Sequence, residues 1–231
     1  MTTFADKVIQ FNATLDFTDP LPLGIRILNP FKEDQNIMPI VSSFYHKFYN
    51  DRHARHMILG INPGRFGGGV TGVPFTDSKR LKLECGIPYF GKETHEPSSV
   101  FVYDVIQAYG GPTAFYQKFY INSICPLGFT APGKNGTEVN YNYYDNPELT
   151  EAVYEFIVQN IQKQIDLGIN TDICFCFGTG KNEKFLRQLN QKYHFFETIM
   201  PLEHPRFVMQ YKAKYKQFYI EKYLSAFRQA G

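Results

Sequence analysis

The chain of 231 residues is 43% hydrophobic and 20% charged, which supplies a packed core and excludes a disordered polyelectrolyte. Lysine and arginine number 24 against 22 acids, so net charge neither demands nor forbids a polyanionic partner. No stretch reaches eighteen apolar residues, and acids and amides interrupt the start, MTTFADKVIQFNATLDF. Neither a spanning helix nor a leader peptide is expected, and the cytoplasm is the expected location. Cys85, Cys125, Cys174 and Cys176 include no C-x-x-C pair and have no histidine pair nearby, so no metal site and no disulfide framework is expected.

In chain order, residues 3 to 15 and 36 to 51 read as helices, the second carrying Ile40, Val41, Phe44, Tyr45 and Phe48 at helical spacing. A connector with Pro20, Pro22 and Pro30 separates them, and residues 1 to 52 form an N-terminal helical layer. The apolar run from His56 to Ile61 ends in Asn-Pro-Gly, the profile of a buried strand entering a loop. Phe119 to Asn122, Asp172 to Phe177 and Phe195 to Met200 read as three more strands. Helices are predicted near 98 to 110, 147 to 168, 180 to 192 and 206 to 228, the last basic. No repeat or linker divides the chain, so 1 to 231 is one domain of α/β class with a parallel sheet covered on both faces. In such sheets the carboxyl ends of the strands carry the site.

Those ends hold unusual sequence. Gly60-Ile61-Asn62-Pro63-Gly64 sets a carboxamide at a strand end, where it can hold a small polar ligand or a water; an isolated Asn-Pro-Gly is more often just a turn. Gly67, Gly68 and Gly69 follow, then Thr71-Gly72-Val73-Pro74-Phe75, a loop that brings backbone close to something and places the Phe75 ring off any periodic face. Asn122 ends the second strand, as a turn residue or as an amide reading a ligand's hydrogen-bonding edge. His204, in Leu202-Glu203-His204-Pro205-Arg206, stands at a strand end before a fixed turn; His46, His53, His56, His95 and His194 have no comparable placement.

Gly178-Thr179-Gly180-Lys181 lacks the third glycine of a dinucleotide fingerprint, and a P-loop needs glycine where Phe175 stands, so no nucleotide cofactor is expected. The junction can still offer free N–H groups and Lys181 to one phosphate. Beyond His204, Arg206, Lys212, Lys214, Lys216, Lys222 and Arg228 face the single acid Glu221, interleaved with Tyr211, Tyr215, Phe218, Tyr219 and Tyr223. Such a run is a solvated face or a surface that tracks a nucleic-acid backbone. On one continuous helix Lys212 and Lys216 share a side and Lys214 lies nearly opposite, so Arg206, Lys212 and Lys216 are the expected phosphate contacts.

The set GINPG, TGVPF, N-x-x-CPL and HP, over residues 55 to 210, resembles the uracil-DNA glycosylase superfamily, and most its single-strand-selective monofunctional branch. That resemblance implies a three-layer αβα sandwich around a four-stranded parallel sheet, with a base flipped from DNA into a pocket at the sheet edge. It implies that Asn62 positions the attacking water, that Phe75 stacks on uracil, that Asn122 bonds the base edge and that His204 supports the charge on O2. Gly60, Ile61, Pro63 and Gly64 then shape the base pocket, and Gly67 to Gly69 and Lys181 join the basic strip in holding DNA. The partner is uracil-containing DNA, single- or double-stranded; the protein is expected to be a monomer without cofactor.

The chain departs from the family pattern at three places. Its second amide segment, Asn122-Ser123-Ile124-Cys125-Pro126-Leu127, is one residue longer, so either Asn122 or Ser123 takes the base-reading place. His204-Pro205 is followed by Arg206-Phe207-Val208 rather than Ser-Pro-Arg, which alters the element that wedges the strands. Gly64 stands where the most uracil-selective branch has tyrosine, so other deaminated or C5-modified bases join uracil as candidates. Two rival readings are a nucleic-acid-binding protein that keeps the fold without turnover and a nucleoside hydrolase.

Overall fold

A capping box opens the first helix. In the computed structural model, which describes residues 2–230, the Thr3 hydroxyl accepts the Asp6 N–H at 3.2 Å and the Asp6 carboxylate accepts the Thr3 N–H at 2.8 Å. These bonds start α1 (Phe4–Ala13), whose Phe4, Ala5, Val8 and Phe11 are buried. After β1 (Arg26–Leu28) and α2 (Pro30–Glu33), α3 (Ile37–Phe48) packs along α1 and buries Val41, Phe44, Tyr45 and Phe48, the spacing its sequence shows.

The first central strand, β2 (Arg55–Gly60), is buried at all six positions and begins on a charge. Arg55 donates to both Asp51 carboxylate oxygens and to the Tyr116 carbonyl, and its guanidinium lies 4.7 Å from the ring centroids of Phe4 and of Tyr49. A fully buried arginine is tolerable because partners meet it on every side. The chain continues through α4 (Gly68–Thr71), α5 (Ser78–Leu83), α6 (Pro97–Tyr109) and α7 (Pro112–Lys118) into β3 (Phe119–Ser123). Next come β4 (Gly128–Pro132), β5 (Glu138–Tyr141), α8 (Pro147–Ala152), α9 (Tyr154–Ile165), β6 (Ile169–Phe177), α10 (Lys181–Tyr193) and β7 (Thr198–Leu202). Last come α11 (Pro205–Tyr211), a 3-10 turn (Ala213–Tyr215), α12 (Lys216–Phe227) and a second 3-10 turn (Arg228–Ala230).

The main sheet has the order β3-β2-β6-β7 with every neighbouring pair parallel. Side-chain alternation along β3 separates the two covering layers. Phe119 points to the α12 side, its ring 4.8 Å from that of Phe227, while Tyr120 points to the α1 side, its ring 5.5 Å from that of Phe4. The fold is the expected three-layer α/β sandwich with a four-stranded parallel sheet.

Several features differ from the sequence reading. A second, antiparallel sheet of order β1-β4-β5 was unmarked because its strands are short and partly exposed. The helix predicted over 147 to 168 breaks at Val153, and the basic helix predicted over 206 to 228 is two helices joined by the turn at 213–215. The fourth strand lies three residues later than predicted, since Asn190 binds the Phe196 N–H and carbonyl and holds the preceding segment out of the ladder. Among the described residues no helix is long and apolar enough to cross a membrane.

Candidate active site

A cavity of about 260 Å³ opens at the carboxyl ends of β2, β3 and β7, and Ile61, Asn62, Pro63, Gly64, Phe75, Ser123 and His204 all line it. Asn62 is fixed at both ends of its amide. Its Nδ2 donates to the Tyr141 carbonyl and its Oδ1 accepts the Tyr143 N–H, each at 3.1 Å. Both partners are backbone groups of β5 and the turn after it, so the second sheet sets which amide end is donor and which is acceptor. One N–H and one oxygen lone pair are left for a ligand.

Phe75 adopts φ of +51°, the left-handed region that a non-glycine residue enters at a cost of about 1–2 kcal/mol. The Thr71 hydroxyl holds this loop by donating to the Thr76 carbonyl at 2.7 Å and accepting the Val73 N–H at 3.2 Å. The ring then stands 5.7 Å from the His204 ring and 5.5 Å, edge to face, from Phe177. Gly60 is the floor beneath it: a Cβ there would lie 2.7 Å from the Phe75 ring. Gly60 therefore supports the cavity without lining it.

The strand pleat separates the two candidates at the end of β3. Asn122 projects to the same face as Tyr120, donates to its hydroxyl at 2.8 Å, and accepts the Ser123 N–H at 2.8 Å. It borders a separate small void with Pro63, Pro74 and Pro126. Ser123, on the opposite face, lines the main cavity. The structure thus brings Ser123 to the site and leaves Asn122 behind it.

His204 is the N-cap of α11, and its Nδ1 accepts the Arg206 N–H at 3.1 Å. That bond places the proton of a neutral ring on Nε2. Burial of the imidazole, reinforced by the Arg206 charge, pulls its pKa down to about 4, so the ring is neutral at ordinary pH.

The cavity also has walls absent from the sequence reading. Asn140, Asn142 and Tyr144 come from β5 and the segment after it, Glu96 and Ser98 from the start of α6, and Phe207, Gln210 and Tyr211 from α11. The dense aromatic and amide run Asn140-Tyr141-Asn142-Tyr143-Tyr144 was the available signal. Glu96 lies against the loop after β2, where a Cβ at Gly64 would come to 3.0 Å of its carboxylate and one at Gly67 to 2.2 Å. Burial, with Asp77 nearby, pushes its pKa up to about 7 against the pull of a Ser98 hydrogen bond and Arg206.

Within the glycine triplet, Gly68 lines the main cavity, beside the expected site. Gly67 and Gly68 are buried, and the Gly67 and Gly69 N–H groups both donate to the Gly64 carbonyl, so these two are spent inside the loop. The triplet is needed for close packing: a Cβ at Gly69 would meet the Gly64 carbonyl oxygen at 2.8 Å. Lys181 is exposed beside a neighbouring recess that shares His204, Tyr144 and Phe207 with the main cavity, its ammonium 5.7 Å from the Tyr144 ring. Arg206 lines the main cavity. Lys216 does not share a helical face with Lys212, because the 3-10 turn intervenes, and its ammonium pairs with Asp104 at 2.7 Å.

Comparison with known proteins agrees with this geometry. The family model "Uracil DNA glycosylase superfamily" matches residues 46–228. The single-strand selective monofunctional uracil-DNA glycosylases of Rattus norvegicus and Mus musculus are each 29% identical over 157 residues, 58% of this chain and 53% of theirs. The matched region thus spans about half the length of these curated relatives. The crystal structure of wild-type Pedobacter heparinus SMUG2 superimposes with a TM-score of 0.97 at 65% identity, covering 99% of this chain and 98% of that one. With the motifs, sheet order and cavity in agreement, the chain belongs to the uracil-DNA glycosylase superfamily and resembles its single-strand-selective monofunctional branch.

Proposed function

We propose that this protein is a monofunctional DNA glycosylase that hydrolyses the N-glycosidic bond of uracil in DNA and so begins base-excision repair. The observation that carries the reading is a neutral His204 imidazole, with its proton on Nε2, on the same cavity as a doubly anchored Asn62 amide.

The chemistry follows from these groups. As the bond from the sugar C1′ to the base N1 breaks, its electron pair leaves with uracil and spreads onto O2. A fixed N–H donor bonds that growing negative charge more strongly than it bonds the neutral base, which lowers the barrier rather than merely tightening binding. The sugar becomes an oxocarbenium-like cation and needs little nucleophilic push. Asn62 holds a water by its remaining amide valences; the oxygen adds to C1′, and the proton released goes to the departing uracil anion. Phe75 stacks on the flipped base, and Ser123 is the proposed reader of its edge. No lysine lines the main cavity, which supports direct hydrolysis rather than a Schiff base. Gly64 carries no side chain to close the wall, and Asn140 and Glu96 offer polar atoms there, which supports acceptance of other deaminated or C5-modified bases.

The test is purified protein against single- and double-stranded oligonucleotides with one uracil, in excess chelator, followed by alkaline cleavage of abasic sites. Uracil release is expected in chelator, with no DNA adduct trapped by borohydride. No release from either substrate would leave a binding protein without turnover. Release of uracil from free deoxyuridine at a comparable rate would instead indicate a nucleoside hydrolase.

A further inference from the structure

Of the six well-exposed aromatic rings among the described residues, four fall between 207 and 218: Phe207 at 40% exposure, Tyr211 at 65%, Tyr215 at 64% and Phe218 at 63%. Water-facing rings in such number within twelve residues are not core material, and they begin at the cavity. Phe207 and Tyr211 line its mouth and lie 5.5 Å apart between ring centroids. A 3-10 turn follows α11, and Tyr215 and Phe218 stand within one turn of the start of α12.

The surrounding charge favours one partner. Asp104 is taken by Lys216, Glu203 by Lys222, and Glu221 accepts from Gln217. Lys212 and Lys214 make no ion pair among the described residues, and they stand between Tyr211 and Tyr215 in sequence. Rings interleaved with uncompensated cations, beginning with Phe207 and Tyr211 on the cavity lining, match a chain of unpaired bases on a phosphate backbone. A purely apolar protein partner would leave the two ammonium groups without counter-charge.

We infer that Tyr211, Tyr215 and Phe218 form a stacking platform for the unpaired bases that flank the target on one side of a single DNA strand, with Lys212 and Lys214 meeting the phosphates between them. The inference rests on the glycosylase reading for the identity of the flipped nucleotide, but not for strand binding itself. Base stacking on aromatic rings is indifferent to sequence, and each ring removed costs roughly 5- to 100-fold in affinity.

The experiment uses the full chain and plain single strands without uracil, so that failure of glycosylase activity and failure of the platform are separable. Affinity is measured for a base-bearing oligonucleotide and for one of equal length and charge whose flanking sugars are abasic. Tyr215→Ala/Phe218→Ala should lower affinity for the first by about 25-fold or more and leave the second unchanged, while Tyr215→Phe/Phe218→Tyr should bind as wild type. In a uracil substrate with a single flanking nucleotide on each side, the double alanine variant should excise at the wild-type rate. Equal affinity of wild type and double alanine variant for the base-bearing strand would overturn the platform. So would equal losses on both strands, or a wild-type dimer in sedimentation that the double alanine variant abolishes.

Discussion

At the scale of single residues, His204 and Asn62 differ in what each needs from its surroundings. In the proposed mechanism His204 acts as a neutral donor, and its burial beside Arg206 keeps it neutral by holding the pKa near 4 instead of the ordinary 6.5. The single-turnover rate of uracil release is therefore expected to stay level as pH falls from 8 through 6.5, with any loss from this group below about 5. A descending limb near 6.5 that disappears in His204→Gln would mean that the imidazolium is the working form. Asn62→Ala and His204→Ala should each slow the single-turnover rate by about 100-fold or more, the scale of losing a positioned catalytic group or a preorganised donor, with circular dichroism unchanged. Glu96 titrates in the opposite direction. Its pKa of about 7 in the folded protein exceeds the ordinary 4.5, so the folded state holds the extra proton and stability falls as pH rises from about 4.5 to 7. Glu96→Gln keeps the shape and removes that penalty, so urea unfolding should show it about 3 kcal/mol more stable than wild type at pH 8 and equal to it at pH 4.

Between residues and the whole lie the elements, and here the basic tail shows how continuity of a helix decides which charges act together. As one helix, it would align Lys212 with Lys216; as α11, a 3-10 turn and α12, it gives Lys216 to Asp104 and leaves Lys212 and Lys214 unpaired. Each uncompensated cation that meets a phosphate releases about one counterion, so Lys212→Ala and Lys214→Ala should each flatten the log-log salt dependence of DNA binding by about one unit. Lys216→Ala should leave the slope unchanged. Identical slopes for all three variants and wild type would make the strip a solvated face. Helical periodicity could not reveal this break, since nothing in Tyr211-Lys212-Ala213-Lys214-Tyr215 forbids a helix; the Lys216 ion pair with a residue 112 positions away is a tertiary event. The strands of the main sheet were legible for the opposite reason, being short apolar runs that end in glycine, proline or amide. Pleat was not legible at the end of β3, because choosing between Asn122 and Ser123 needs to know which face Tyr120 takes.

On the scale of the molecule, two sheets with separate ladders are linked through the Asn62 side chain just beyond β2. The parallel sheet and the positions of Asn62, Phe75 and His204 followed from motifs at strand ends, and the three layers from the resemblance those motifs carry, whereas the β1-β4-β5 sheet and its contribution to the cavity were hidden in a polar stretch that resembles a loop. Yet both internal hydrogen bonds of the Asn62 amide come from that lesser sheet and the turn beyond it. Its outer strand has no fully buried position and exposes Val139, while β2 is buried throughout. Local opening of such an edge needs far less free energy than global unfolding. On warming, excision should fade reversibly several degrees before far-ultraviolet circular dichroism changes, and the Tyr143 amide should exchange with deuterium faster than those of Ile58 and Leu59. Simultaneous loss of activity and ellipticity, with Tyr143 as protected as β2, would mean that the two sheets open as one unit. Staggered loss would give the protein a built-in fuse: heat would disarm the water-holding amide while the scaffold that carries it still stands.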